Sequence, residues 1–183
     1  MRDGRKTLQL RRWLCIGILL SSAAALAQDT PRFQLFGGYS YTRLSGANGS
    51  GNLHGWNAAL AGNLTRHFSL VADFAGGYDR SSGTAVNVHT FLFGPQVTKR
   101  AKRADLFAQA LFGVGRVGAS ASGIGASDTA FATALGGGVD VHAGSRVSFR
   151  VAQIDYLLTR FGGHSQNNLR VSTGLVIRWG RTR

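Results

Sequence analysis

The chain has 183 residues, with 21 Lys and Arg against 8 Asp and Glu, a formal net charge of +13, 26 glycines and one cysteine. Every acidic residue is aspartate. The absence of Glu argues against exposed amphipathic helices, a lone cysteine excludes an internal disulfide framework, and the length suits one domain.

Residues 1–27 begin with Arg2, Arg5, Lys6, Arg11 and Arg12, then run apolar from Trp13 to Ala25-Leu26-Ala27. A charged start, a short apolar stretch and a small-residue end form the pattern of a cleaved secretory signal peptide. The stretch is too short for an ordinary spanning helix, which needs roughly 20 residues. Cys15 follows Leu14, not a small residue, and reads as apolar filler. The expected organisation is a signal peptide over 1–27 and one domain over 28–183. Export also redirects the charge. A basic cytosolic chain suggests nucleic acid, whereas an exported one suggests anionic lipid or lipopolysaccharide, with no nucleic-acid partner.

The remaining chain alternates with a period of two, the signature of half-exposed β-strands. In "RFQLFGGYSYTRL", Phe33, Leu35, Gly37, Tyr39 and Tyr41 oppose Gln34, Phe36, Gly38, Ser40 and Thr42. "HGWNAALAGNLT" sets Trp56, Leu60 and Leu64 against Asn57 and Asn63. "FSLVADFAGGYDR" sets Leu70, Phe74 and Tyr78 against Asp73 and Asp79. The facing of "AVNVHTFLFGPQV" is ambiguous, because Val86 and Val88 differ in parity from Phe91 and Phe93. "LFAQALFGVGRV" sets Leu106, Phe112 and Val114 against Gln109. "FATALGGGVDV" sets Phe131, Leu135, Val139 and Val141 against Asp140. In "VSFRVAQIDYLLTRF" the apolar parity changes between Val151 and Ile154, which predicts a β-bulge at 151–153. "NNLRVSTGLVIRW" sets Leu169, Leu175, Ile177 and Trp179 against Arg170 and Arg178.

Looser segments such as "SGANGSGN" and "ASASGIGASD" follow the odd strands. Mostly shorter ones, "TRH", "TKRAKRAD" and "HAGS", follow the even strands. Long loops at one end and short turns at the other are expected of an up-and-down membrane barrel. Mid-strand glycines, which normally weaken a sheet, are expected to ease bending and leave inward room for larger neighbours.

"FQLFGGYSYTRL", "FLFGPQV", "FAQALFGVG", "QIDYLLTRFGG" and "LRVSTGLVIRW", taken with the signal pattern, resemble the small bacterial outer-membrane β-barrel family. That family is similar to the transmembrane domain of outer membrane protein A. The resemblance implies an eight-stranded antiparallel up-and-down transmembrane barrel in a Gram-negative outer membrane, with both termini periplasmic. It implies a monomer inserted by the outer-membrane assembly machinery. One departure is that Trp179 is followed by Gly180-Arg181-Thr182-Arg183, whereas such barrels usually end on an aromatic residue.

On this reading the apolar rows face lipid and the charged rows face inward. Asp73, Asp140 and Asp155 should then pair with Arg150, Arg170 and Arg178, because an unpaired buried charge is costly. Eight strands leave an interior that side chains can fill, so a wide pore is not expected. Arg43, Arg80, Arg116 and Arg160 fall at the far ends of the odd strands. They share the outward parity of Phe33, Leu70, Leu106 and Ile154. They are the candidates for snorkelling or for gripping lipopolysaccharide phosphates.

Other motifs carry less. "GVGRVG" fits G-x-G-x-x-G but opens onto a loop, not the helix that a dinucleotide site requires. His54, His67, His89, His142 and His164 lack close ligand spacing, so no metal or cofactor is expected. His164-Ser165 is the nearest approach to a hydrolytic pair, but no acidic residue follows Asp155 to orient the base. The expected function is non-enzymatic: a structural or surface-interaction protein with at most minor small-solute leakage. The alternatives are a soluble periplasmic lipid-binding barrel and, below it, an outer-membrane lipid hydrolase.

Overall fold

The computed structural model describes residues 30–180 apart from 47–48, 82–83, 122–123 and 162–163. Side chains of the strand residues beside those pairs, within 45–50, 80–85, 119–126 and 160–166, also lie outside the described residues, as does the expected signal segment. The elements are β1 (Phe33–Gly46), β2 (Gly49–Asn63), β3 (Phe68–Ser81), β4 (Thr84–Arg100), β5 (Ala104–Ala121), β6 (Ile124–His142), β7 (Val147–Phe161) and β8 (His164–Trp179). Each pairs antiparallel with its chain neighbours, and β8 returns to β1 to close the barrel. Closure leaves no unpaired sheet edge, the condition a strand must meet in hydrocarbon.

Alternation sorts the side chains. Phe33, Leu35, Trp56, Leu60, Leu70, Phe74, Phe112, Phe131, Phe149, Tyr156, Leu175 and Ile177 stand on the outside. The opposite parity holds Gln34, Asn57, Asp73, Gln109, Asp140, Asp155, Arg170 and Arg178, all buried in the barrel. Apolar side chains share that interior, among them Phe36, Leu92, Leu111, Leu157 and Val176. β4 resolves to one facing. Phe91, Phe93 and Val97 are exposed, while Thr90, Leu92, Gln96 and Thr98 are buried. Val86 and Val88 therefore share the inward parity.

The expected bulge is present in β7. Val139 pairs with Ala152 but Asp140 pairs with Arg150, so the ladder skips Val151. On the other side Arg150 faces Gly174 and Gln153 faces Ser172. The extra residue shifts the phase, and Arg150, Gln153 and Asp155 all point inward.

The expectations for the loops and for the glycines change. The strands run 14 to 19 residues, longer than the roughly 9–11 that one crossing requires. The segments taken as long loops are largely ladder, as in the pairing of Ala121 with Ile124. Ser, Gly and Ala there keep their backbone hydrogen bonds while offering nothing to lipid, so polarity marks where the membrane stops, not where the strand stops. The glycines also divide between faces. Gly136 points inward, where a Cβ would collide with the Asp155 carboxylate and the Ile154 carbonyl. Gly76 points outward, where the Trp56 indole covers it.

Candidate functional site

The interior charges lie on three levels. The middle level is built on Arg170 of β8, which is 1% exposed. Its Nη1 lies 2.8 Å from Asp73 Oδ1 on β3, and its Nη2 2.8 Å from Asp155 Oδ2 on β7. Arg170 and Asp155 are ladder partners, whereas Asp73 reaches across the lumen. The remaining acceptor capacity is used locally. Asn57 Nδ2 donates to Asp73 Oδ2 at 2.8 Å, Gln109 Nε2 to Asp155 Oδ1 at 2.9 Å and Gln153 Nε2 to Asp155 Oδ2 at 2.7 Å. Two carboxylates against one guanidinium are thus stabilised by amide donors.

The next level, toward the turns, belongs to Arg150. It forks onto Asp140, with Nε to Oδ1 at 2.7 Å and Nη2 to Oδ2 at 3.0 Å. Its guanidinium carbon lies 4.3 Å from the ring centroids of both Phe36 and Phe107, so the planar cation is sandwiched between two aromatic faces. Arg150 Nη1 donates to Gln153 Oε1 at 2.5 Å, and Gln153 joins this level to Asp155 above.

Arg178 joins neither level. Its Nη1 lies 3.6 Å from Asp105 Oδ2, and Nη2 donates to the Gly144 carbonyl at 3.2 Å. Asp105 was missed because "TKRAKRAD" reads as one long turn. In the structure the turn is only 101–103, and Asp105 is an inward residue of β5. The amides Asn57, Gln109 and Gln153 were also missed as network members. Their inward parity was visible, but nothing in the sequence said which carboxylate each would reach.

On the far side of the middle level, Arg170, Ser40, Thr42, Leu53, Thr90 and Asn168 line a cavity of about 30 Å³. That is room for very few waters.

On the outer surface, Arg43 and Arg116 are exposed. Arg80 and Arg160 hold the expected strand positions, but their side chains lie outside the described residues. Arg116 Nη2 donates to Ser127 Oγ at 3.3 Å and stands opposite His89 in the ladder. Beneath these arginines Tyr78 packs edge-on to His89, with its hydroxyl 3.2 Å from Nε2. Tyr39 and Tyr41 flank His54 with tilted rings, and Tyr39 is hydrogen-bonded to His54 Nδ1. Both histidines therefore sit in an aromatic girdle. At the turn end Phe33 stacks on Trp179, with ring centroids 5.9 Å apart. Among the described residues no group of three His, Cys, Asp or Glu side chains is placed to hold a metal. The side chains of His164 and Ser165 lie outside the described residues.

No curated protein matches the sequence. Solved structures match the fold. Neisserial surface protein A has a TM-score of 0.71 at 11% identity, over 80% of this chain and 97% of that one. The attachment invasion locus protein of Yersinia pestis has a TM-score of 0.59 at 14% identity, over 81% and 99%. The N-terminal β-barrel domain of Pseudomonas aeruginosa OprF has a TM-score of 0.52 at 10% identity, over 82% and 100%. At such identities the likeness is one of fold. The sequence model of the outer membrane protein β-barrel domain matches residues 13–176, and the chain belongs to that family.

Proposed function

We propose that the protein is a non-enzymatic outer-membrane barrel with a structural or surface-interaction role, its lumen closed to all but minor solute leakage. The observation that carries this is the division of faces. Large apolar side chains stand outside on every strand, while Arg150 and Arg170 lie inside between carboxylates and aromatic rings. A soluble lipid carrier needs the reverse arrangement, with the apolar row lining a cavity. The names of two structural relatives, a surface protein and an attachment protein, support the surface role. Residues 1–27 act as the signal peptide. Arg32 and Gly180 sit side by side at the end that carries the 64–67, 101–103 and 143–146 turns, and in this reading that end, with both termini, faces the periplasm.

The outer partner is lipopolysaccharide. Arg43 and Arg116 stand exposed above the tyrosines, Arg80 and Arg160 hold the matching strand positions, and guanidinium groups bind phosphate through paired hydrogen bonds. The barrel works as a monomer and reaches the membrane through the assembly machinery.

The test is fractionation of cells with heat-modifiable gel mobility, followed by proteolysis of intact cells. Membrane location with cleavage confined to the end of the barrel opposite Arg32 and Gly180 is expected. A water-soluble monomer overturns the reading. Changing all four of these arginines, Arg43, Arg80, Arg116 and Arg160, to Gln should lower lipopolysaccharide co-purification while the barrel still folds, and a Lys set should retain part of it.

A further inference from the structure

Among the described residues the charges inside the turn end of the barrel do not balance. Arg100 of β4, Asp105 of β5, His142 of β6 and Arg178 of β8 all take the inward parity there. Arg100 Nη1 lies 3.2 Å from Asp105 Oδ2, and Arg178 Nη1 lies 3.6 Å from the same oxygen. His142 Nε2 lies 3.2 Å from Oδ1. Arg66 of the 64–67 turn meets this group through its backbone carbonyl, which accepts from Arg100 Nε at 3.0 Å. One carboxylate therefore serves two guanidiniums and an imidazole. Asp140 stands directly opposite Asp105 in the ladder but brings no relief, because Arg150 occupies both its oxygens.

The surplus is visible atom by atom. Among the described residues Arg100 Nη2 and Arg178 Nε are buried donors with no acceptor, on side chains only 6% and 10% exposed, while Asp105 Oδ1 meets only the His142 ring, at 3.2 Å and without hydrogen-bond geometry. A buried cationic donor without an acceptor is costly. The site lies just inside the turns, at the edge of water. Exposed Arg32, Lys102, Arg103 and Arg146 surround it, and no acidic residue occurs in the turns 64–67, 101–103 and 143–146. A rim of one sign above a low-dielectric wall concentrates ions of the other sign.

We propose that this turn-end mouth is a binding site for a small oxyanion, a phosphate or carboxylate group, held by Arg100 and Arg178 with His142 beside it. Asp105 is the internal competitor that occupies the cations when the site is empty. The inward parity of these residues favours an anion arriving from water over a lipid headgroup arriving from the bilayer side.

The experiment titrates the folded full chain in zwitterionic micelles with inorganic phosphate, read by calorimetry at constant ionic strength set with chloride. Saturable phosphate binding is expected. Arg100→Gln and Arg178→Gln should each weaken it at least tenfold, and Asp105→Asn should strengthen it several-fold by removing the competitor. Lys99→Gln, at the same end but on the lipid-facing row, should leave it unchanged. Should the Gln variants fail to fold, the Asp105→Asn variant and an Arg178→Lys variant remain informative, the latter expected to bind more weakly. A second arm places the protein in vesicles with and without phosphatidylglycerol. Loss of phosphate binding only in the anionic vesicles assigns the site to the headgroup as the source of the same chemistry. No saturable binding in either arm, or an Asp105→Asn variant that binds phosphate more weakly, overturns the proposal.

Discussion

Asp155 and Arg170 are ladder partners on β7 and β8, and their side chains meet inside the barrel at 2.8 Å with Asp73 completing the group from across the lumen. Removing one partner of such a pair leaves a buried charge uncompensated, at a cost of about 3–5 kcal/mol. Arg170→Gln should cost more than Asp73→Asn, because it orphans two carboxylates at once. Replacing all three by Arg170→Met, Asp73→Asn and Asp155→Asn should recover much of the loss. Urea unfolding in detergent measures each. A silent Asp155→Asn variant would mean that the network contributes nothing to stability.

Arg150 provides a separate test of geometry against charge. Arg150→Lys keeps the positive charge but loses the fork onto Asp140 and the flat surface between Phe36 and Phe107. A loss of about 1–3 kcal/mol is expected, since two charge-assisted hydrogen bonds and a desolvated cation–π contact go together. A double-mutant cycle of Arg150→Lys with Phe36→Leu should show coupling of about 0.5 kcal/mol or more, as contacting residues do. Strict additivity would remove the aromatic contact from the account.

The fold was legible in the sequence because its determinant is a period. Leu169 to Trp179 shows which side chains share a face without any contact being known. The phase change between Val151 and Ile154 was equally readable, since an apolar row that switches parity must do so through an extra residue. What sequence could not supply was partner choice among residues of one parity. Arg178 and Arg170 look alike in the last strand, eight residues apart, yet one meets Asp105 near the turns and the other meets Asp73 and Asp155 deep inside. That difference depends on height along the barrel, which is set by register between strands. Asp105 was hidden for a local reason, because the cationic run before it looked like loop. Strand ends were misread because Gly and Ser segments pair beyond the membrane as readily as apolar ones pair within it.

Gly136 shows how tightly the interior is set. It lies opposite Asp155 in the ladder, and a Cβ there would strike the Asp155 carboxylate. Its backbone conformation is ordinary, so the constraint is space alone. Gly136→Ala should displace Asp155 from the Gln109 amide and cost about 1–3 kcal/mol, the usual range for overpacking. Gly37→Ala is the control. It faces outward with nothing within 4 Å of the added methyl, and should change unfolding by less than about 0.5 kcal/mol.

The bulge makes the sharpest prediction, because it concerns phase and not contact energy. Arg150 and Gln153 are both inward although three positions separate them, and Val151 is the residue that the β6 ladder skips. Deleting Ala152 should therefore restore a regular ladder with Arg150 and Gln153 two apart. Every later side chain of β7 would keep its present face. Asp155 would still meet Arg170, and Ile154 and Tyr156 would still face lipid. Deleting Ala108 from the regular middle of β5 has the opposite effect. It sends either Gln109 outward with Phe112 inward, or Phe107 outward with Leu106 inward, since a slip of one residue exchanges the two faces on one side of the deletion. The Ala152 deletion should give a barrel with heat-modifiable gel mobility, at some cost in stability from lost twist. The Ala108 deletion should give unfolded protein only. Failure of the Ala152 deletion to fold, with the Ala108 deletion folding normally, would show that the bulge has a role other than keeping phase.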